Sequence, residues 1–236
     1  MAGEELLLYR GIAVPPGIAG QLSNKLRHSG IQGDEGRSWS RGSVRDSLED
    51  LFEKPDLTVR DTRPSAGEFR VVAACGDSLG ATWYAFREAR SRTPFVITLR
   101  IPLLEAFVDS RDFLVTCFQF WDKGGTDFLE NQTRALSRLF GKEIVRYFRR
   151  ATGSISQQYR IAMCDLACED QRVARSHSRN EVVIRGRYST TFCSAFFVKA
   201  PIPANRVVTV ETPEPRNFEP QITLEEFLSG RLDNFG

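Results

Sequence analysis

Short apolar runs typical of β-strands occur along most of the chain without alternating regularly with helices, and this irregular order most constrains the fold. The clearest run is 95–101, which is apolar and β-branched and ends at Pro102. Further strands are predicted at 6–9, 69–74, 113–120, 182–184 and 207–210. A doubly wound parallel sheet needs a helix after each strand, so the pattern favours a mixed α+β fold.

We expect the 236 residues to form one domain over 1–236, because 41% are hydrophobic and 17 are Phe, enough for a substantial core. No internal repeat divides the chain. The Pro-rich stretch 213–220 is interpreted as a tether for a last short helix over 224–228, with Thr223 as its N-cap. Residues 213–236 are therefore predicted to be a C-terminal tether and short helix.

Three longer helices are predicted from periodicity and end signals. The first begins at Pro15 or Pro16 and runs to Leu26, and the second covers 81–89 with Asp77 or Ser78 as N-cap. The third covers 129–149, where apolar residues follow one helical face. A surface loop is expected at 33–42 and a short helix at 44–52, whereas 159–166 is ambiguous between helix and strand.

Missing motifs argue against several enzyme classes. The chain has no P-loop, no dinucleotide-binding glycine motif and no nucleophile elbow, and its two histidines make a Ser–His–Asp hydrolase improbable. Cys164, Cys168 and His177 lack the number and spacing of structural zinc ligands, so no metal is predicted. Five irregularly spaced cysteines indicate free thiols, and no secretory or membrane-spanning segment is recognised, so we expect a cytoplasmic protein.

Three separate segments carry residues suited to chemistry on a dinucleotide. Tyr9, Arg10 and Gly11 follow the first apolar strand, and 78–85 forms a helix that ends in Tyr84–Ala85 before the strand 95–101. Glu181 stands at the start of a predicted strand. This order resembles the ADP-ribosyltransferase superfamily in its arginine–serine–glutamate branch. The resemblance implies a mixed fold with a split central β-sheet flanked by helices.

The resemblance also implies a role for each of these residues in reaction with NAD, the ADP-ribose donor. Glu181 is expected to stabilise positive charge that develops on the ribose as nicotinamide leaves. Arg10, flanked by Tyr9 and Gly11, is expected to hold NAD by bidentate hydrogen bonds. Ser78 would supply the middle hydroxyl, and Tyr84 would present an aromatic face to nicotinamide.

The chain departs from the family pattern at two places. It has no clean Ser-Thr-Ser triplet between Arg10 and Glu181, and Ser40, in Ser38-Trp39-Ser40, stays an alternative to Ser78. Many arginine-modifying members carry Glu or Gln two residues before the catalytic glutamate. Here that position is Arg179, which argues against arginine as the acceptor.

Basic residues are concentrated near Glu181, with twelve basic and five acidic residues between positions 134 and 187. Several recur every three or four residues on the predicted helix 129–149 and would share a face that suits a phosphate backbone. We therefore expect a nucleic-acid acceptor, RNA or DNA, in preference to a protein. The predicted acceptor contacts are Arg146, Arg149, Arg150 and Arg179.

Compact relatives with nucleic-acid acceptors include bacterial toxins and phage-defence effectors, which by analogy suggests a toxin held by an inhibitory antitoxin partner. Three alternatives stay open. One is transfer to a protein side chain, and another is a non-enzymatic nucleic-acid-binding module. The third is a tRNA 2′-phosphotransferase, which would need an active-site histidine.

Overall fold

The computed structural model describes residues 4–33, 38–39, 69–87, 89–120, 126–186 and 191–230. The predicted helix 44–52, most of the predicted loop 33–42, and Ser40 lie outside these residues. The described strands are β1 (Glu5–Val14), β2 (Ser38–Trp39), β3 (Phe69–Cys75), β4 (Thr93–Pro102), β5 (Ala106–Val108), β6 (Ile184–Arg185), β7 (Thr191–Phe192), β8 (Ala195–Lys199), β9 (Val207–Glu211) and β10 (Ile222–Thr223).

Helices make up much of the remaining described chain, together with two short 3₁₀ turns at Leu103–Glu105 and Ala204–Arg206. The α-helices are α1 (Pro16–Ser29), α2 (Ser78–Arg87), α3 (Arg111–Phe120), α4 (Thr126–Phe140), α5 (Ile144–Thr152), α6 (Gln157–Glu169), α7 (Gln171–His177) and α8 (Leu224–Leu228).

The main sheet is antiparallel and has the strand order β5-β8-β3-β1-β4-β9, with β2 paired to β3. This arrangement confirms the mixed α+β class, and the predicted strands 6–9, 69–74, 95–101 and 207–210 lie within β1, β3, β4 and β9. β1 and β4 pair over ten residues, whereas the described register of β1 with β3 consists of Tyr9 opposite Cys75. Backbone pairing therefore joins β1 far more extensively to β4 than to β3.

Each face of this sheet is covered by helices. Leu8, Ile97 and Leu99 are buried in one large core together with apolar residues of α3 to α7. Neighbouring strand positions point to the opposite face, where Tyr9 and Val96 belong to a small second cluster against α2. Helices pack on both sides because strand side chains alternate in direction along each strand.

Helix α2 approaches β1 closely at Gly11. A Cβ placed on Gly11 would lie 1.8 Å from the Ala81 carbonyl oxygen and 2.8 Å from the Ala85 nitrogen. These are backbone atoms of α2, so the helix cannot yield without moving as a whole. Gly11 is therefore required for helix–strand packing, a role that differs from the NAD contact expected from the sequence.

The prediction of a strand at 113–120 is wrong, because these residues belong to α3. Phe113, Leu114, Cys117 and Phe118 are buried, which is the spacing of one helical face. The segment is apolar enough to suit either a buried strand or a buried helix, and a short apolar run does not distinguish the two.

The single helix predicted over 129–149 is also wrong, because Gly141 ends α4 and α5 begins at Ile144. Gly141 has a φ of 79°, which glycine adopts without strain, and an added Cβ would lie 2.3 Å from Ser176 Oγ. The basic residues expected to share one helical face are therefore divided between two helices.

A second sheet has the order β10-β6-β7, with β6 and β10 parallel. Gln221 N–H donates to the Val183 carbonyl at 2.8 Å, and the Gln221 side chain accepts from Val183 N–H at 2.9 Å. The C-terminal helix is confirmed as α8, with Thr223 and Glu226 forming its capping box. The tail is thus tied to the segment that follows Glu181.

The ambiguous segment 159–166 is helical and lies within α6. Ser156 caps this helix by accepting a hydrogen bond from Tyr159 N–H at 3.3 Å. Among the described helices, none is long and apolar enough to cross a bilayer.

We expect Gly11→Ala to lower the free energy of unfolding by about 1–3 kcal/mol, because the added methyl group overpacks the contact with α2. Urea denaturation of the purified protein measures this change. The matched control is Gly20→Ala on the exposed side of α1, where an added Cβ meets no atom within 4 Å. That variant should be neutral or up to about 1 kcal/mol more stable. Equal effects of the two substitutions would contradict the packing role of Gly11.

Candidate functional site

The three segments singled out in the sequence meet at the C-terminal end of β3. Tyr9 in β1 lies opposite Cys75 in β3, and Cys75 lies opposite Ala195 in β8. Two residues before Ala195, the Cys193 thiol donates to the Asn180 carbonyl at 2.7 Å. Strand pairing and this hydrogen bond therefore bring the surroundings of Arg10, Ser78 and Glu181 together, although they are far apart in sequence.

Asn180 fixes the backbone on which Glu181 stands. The Asn180 side chain is 8% exposed; its Nδ2 donates to the Val182 carbonyl at 3.0 Å and also to the Cys193 carbonyl, while its Oδ1 accepts from Val182 N–H at 3.2 Å. The sequence alone does not identify Asn180 as a structural residue, because its partner Cys193 lies thirteen positions away and no local pattern predicts their hydrogen bond.

Glu181 lies in an irregular segment before β6, so the prediction that it opens a strand is wrong; the strand starts at Ile184. Its side chain is exposed. Burial raises the pKa of the Cys193 thiol to about 12, and the nearby carboxylates of Asp77 and Glu181 raise it further. Both carboxylates therefore lie near the same thiol.

The start of α2 is capped by Asp77, which settles the choice between Asp77 and Ser78. Asp77 Oδ1 accepts from Gly80 N–H at 2.5 Å. Burial raises the pKa of Asp77 above its ordinary value, although backbone N–H donors oppose this effect. Ser78 is exposed at the first position of the helix, next to this carboxylate.

Arg10 lies on the inner face of β1, in line with Leu8, and its Nη1 donates to the Ala73 carbonyl at 2.7 Å. Burial raises the pKa of Cys75, and the nearby Asp77 raises it further, whereas the Arg10 guanidinium lowers it. Arg10 is thus close to the same group of residues. It reaches them from the opposite side of the sheet to Tyr9 and Gly11, so the predicted NAD contacts do not share one face.

Tyr84 belongs to the small apolar cluster between α2 and the sheet. It packs with Tyr9 against the small cluster of Cys75, Ala81 and Val96. Tyr84 also makes an edge contact with Trp83, with the ring centroids 4.9 Å apart. The structure therefore brings the two predicted tyrosines together, because Tyr9 and Tyr84 pack against the same cluster.

A groove of about 400 Å³ opens beside this junction. Its volume lies in the range of small-molecule sites. Across it, Arg175 Nε donates to Glu4 Oε1 at 2.8 Å, while Leu7 is 51% exposed on the floor. Arg179 is exposed and forms no side-chain hydrogen bond or ion pair within the described residues. The groove is lined by Glu4, Glu5, Leu6, Leu7, Tyr9, Gly76, Arg175, Ser178 and Arg179.

Arg146, one of the predicted acceptor contacts, is engaged within the fold. Its Nη2 donates to Tyr147 Oη at 2.6 Å and lies 3.4 Å from Asp170 Oδ2, to which Tyr147 also donates at 2.8 Å. Of the other two on α5, Arg149 is exposed and Arg150 is half-buried. Arg146 is therefore paired with Asp170 inside the fold, and its role as a phosphate contact stays a prediction.

His177 is a core residue. Its Nδ1 donates to the Leu139 carbonyl at 3.0 Å and its Nε2 accepts from Ala195 N–H at 3.0 Å, while its ring stacks on Phe140 with centroids 4.7 Å apart. Because Nε2 accepts a hydrogen bond, the imidazole is neutral. Burial lowers its pKa to about 4. The described residues contain no cluster of His, Cys, Asp and Glu placed to hold a metal.

No protein-family model, curated protein or solved structure matches the chain. Its function is therefore argued from the residues and their geometry.

We expect stability to fall as the pH drops from 6.5 to 4, by about 3 kcal/mol from His177 alone, because the unfolded chain binds a proton there that the folded protein excludes. Urea denaturation across this range tests the expectation, and His177→Gln should flatten the curve. His28→Gln, on exposed α1, is the control and should leave the wild-type slope. If His177→Gln and the wild type lose stability in parallel, His177 does not titrate in this way.

Proposed function

We propose that this protein is an NAD-dependent ADP-ribosyltransferase that acts on nucleic acid. The observation that carries the proposal is the meeting of three distant segments at the end of β3. They bring Arg10, the capped start of α2 and Glu181 to one thiol pair, Cys75 and Cys193, beside a groove of about 400 Å³. The antiparallel mixed fold is compatible with this activity.

In the proposed reaction, the bond between the ribose C1′ and the nicotinamide nitrogen breaks, and its electron pair leaves with nicotinamide. The ribose then carries positive charge, which the Glu181 carboxylate stabilises. An acceptor oxygen or nitrogen forms the new bond to C1′, and its proton passes to Glu181 or to water. Glu181 suits this role because it is exposed and its backbone is fixed by Asn180.

We assign NAD to the groove beside Tyr9. Arg179 supplies a guanidinium at its rim for the pyrophosphate, and Tyr9 supplies an aromatic wall backed by Tyr84. For Arg10 we propose a positioning role, because its Nη1 holds the Ala73 carbonyl between β1 and β3. Ser78 stands at the same end of the sheet and remains the proposed middle hydroxyl.

The preference for a nucleic-acid acceptor is supported by the basic excess around Glu181 and by the exposure of Arg149. The five cysteines are all free and buried, in keeping with a reducing compartment, so we place the reaction in the cytoplasm. In this proposal the protein is a toxin or phage-defence effector that an inhibitory partner restrains.

Incubation with labelled NAD and total cell extract should give label that a nuclease removes. Glu181→Gln should reduce labelling by about a hundredfold or more, because it removes the charge that stabilises the transition state. The control is Glu225→Gln, an exposed glutamate in the first turn of α8, which should label at the wild-type rate. Thermal melting confirms that both variants fold.

Each outcome decides one part of the proposal. Label that a protease removes, and a nuclease does not, would move the acceptor to protein. Intact NAD with no label in either fraction would reject the transferase.

A further inference from the structure

The turn that joins α2 to β4 concentrates positive charge at the end of α2 remote from Glu181. Arg87, Arg90, Ser91 and Arg92 line a cavity of about 520 Å³. All four are exposed, and within the described residues neither Arg90 nor Arg92 forms an ion pair. One acidic residue, Glu88, interrupts the segment in sequence, so residues 87–92 keep an excess of basic groups.

Aromatic rings hold one of the basic groups of this arginine turn in place. The Arg87 guanidinium carbon lies 5.5 Å from the Trp83 ring centroid and 5.9 Å from that of Tyr84. Arg90 has a φ of 29°, in the left-handed region that a non-glycine residue rarely adopts. A ligand that binds here therefore meets a guanidinium already ordered against aromatic rings.

We propose that the arginine turn binds the phosphate backbone of a single-stranded nucleic acid. Three arginines around one cavity suit consecutive phosphates, because each guanidinium offers paired donors to phosphate oxygens. Single strands are bound by basic surfaces that include aromatic and arginine planes, on which bases stack. Arg87 lies over the Trp83 ring and presents its guanidinium plane at the surface.

The position of α2 connects this turn to the proposed catalytic end. The helix has ten residues and is thus about 15 Å long, with Ser78 at one end and Arg87 at the other. Leu79, Trp83 and Arg87 are spaced four residues apart and so follow one side of the helix, where Leu79 is 38% exposed. A strand held at the turn can follow this side toward Glu181.

Binding of a single strand at the arginine turn does not depend on the proposed transferase. Only the identification of that strand as the acceptor of ADP-ribose rests on it. The arginine turn also changes the expected docking surface. Gly141 divides the basic stripe predicted on 129–149, and Arg146 pairs with Asp170, whereas Arg90 and Arg92 are exposed beside a cavity. The strand is therefore placed along α2, on the outer face of the sheet.

Fluorescence anisotropy tests the site directly, with a labelled single-stranded RNA of about twelve nucleotides and without NAD. We expect Arg90→Gln/Arg92→Gln to bind about tenfold more weakly than the wild type. The slope of log affinity against log salt concentration should fall by about 1.4, which corresponds to two lost phosphate contacts on a single strand. The matched control, Lys25→Gln/Arg27→Gln, removes two exposed charges from α1 and should change the affinity less than about twofold.

Four results would overturn the proposal. The wild-type protein fails to bind the RNA, the arginine-turn variant binds it as tightly as the wild type, or both double variants lose the same amount of affinity. The fourth result is that ADP displaces the RNA as effectively as unlabelled RNA does. The last would indicate a nucleotide site. If the wild-type protein binds RNA but transfers no label from NAD, the proposed transferase is rejected and the arginine turn is still supported as an RNA-binding site.

Discussion

The placement of α2 depends on the missing side chain at Gly11. The Ala81 carbonyl oxygen occupies the space that a Cβ on residue 11 would need. The helix therefore packs directly on the backbone of β1, on the outer face of the sheet. Asp77 then caps the helix beside Cys193, and Arg87 ends it beside the arginine turn. One close contact thus sets where on the sheet the two ends of α2 lie, and we assign one end to catalysis and the other to acceptor binding.

Buried hydrogen bonds make the surroundings of Glu181 part of the core. His177 connects α4 to β8 through Leu139 and Ala195, and Asn180 then connects the following turn to Cys193. Buried polar groups that are fully paired favour one arrangement over others, because any alternative leaves a donor or acceptor without a partner. The exposed carboxylate of Glu181 therefore projects from a backbone that the interior holds in place.

Local signals in the sequence were sufficient for much of the fold. The β-branched run before Pro102 predicts β4, and Thr223 predicts the start of α8, because each effect acts between near neighbours. The strand predicted at 113–120 is wrong because the apolar residues of this short stretch suit a strand as well as a helix, and only their burial in the fold shows the helical spacing. The helix predicted over 129–149 is interrupted at Gly141, which adopts a left-handed conformation and lies close to Ser176, a residue distant in sequence.

The site shows the same division between local and distant effects. Arg10, Ser78 and Glu181 were found as separate segments, and their meeting at Cys75 and Cys193 depends on strand order, which composition does not reveal. The face occupied by Arg10 could have been derived from its alternation with Leu8, since both stand at even positions of one strand. The hydrogen bonds of Asn180 and the pairing of Arg146 with Asp170 join segments whose proximity only the complete fold establishes.

The parallel pairing of β6 with β10 affects the order in which the protein forms during synthesis. Strands β1 to β5 emerge from the ribosome first, whereas β6, which follows Glu181, receives its parallel partner only when β10 has emerged. Until then, Val183 lacks the hydrogen bonds that Gln221 supplies. A nascent chain therefore completes the hydrogen bonding beside its proposed catalytic carboxylate only after this later strand has emerged.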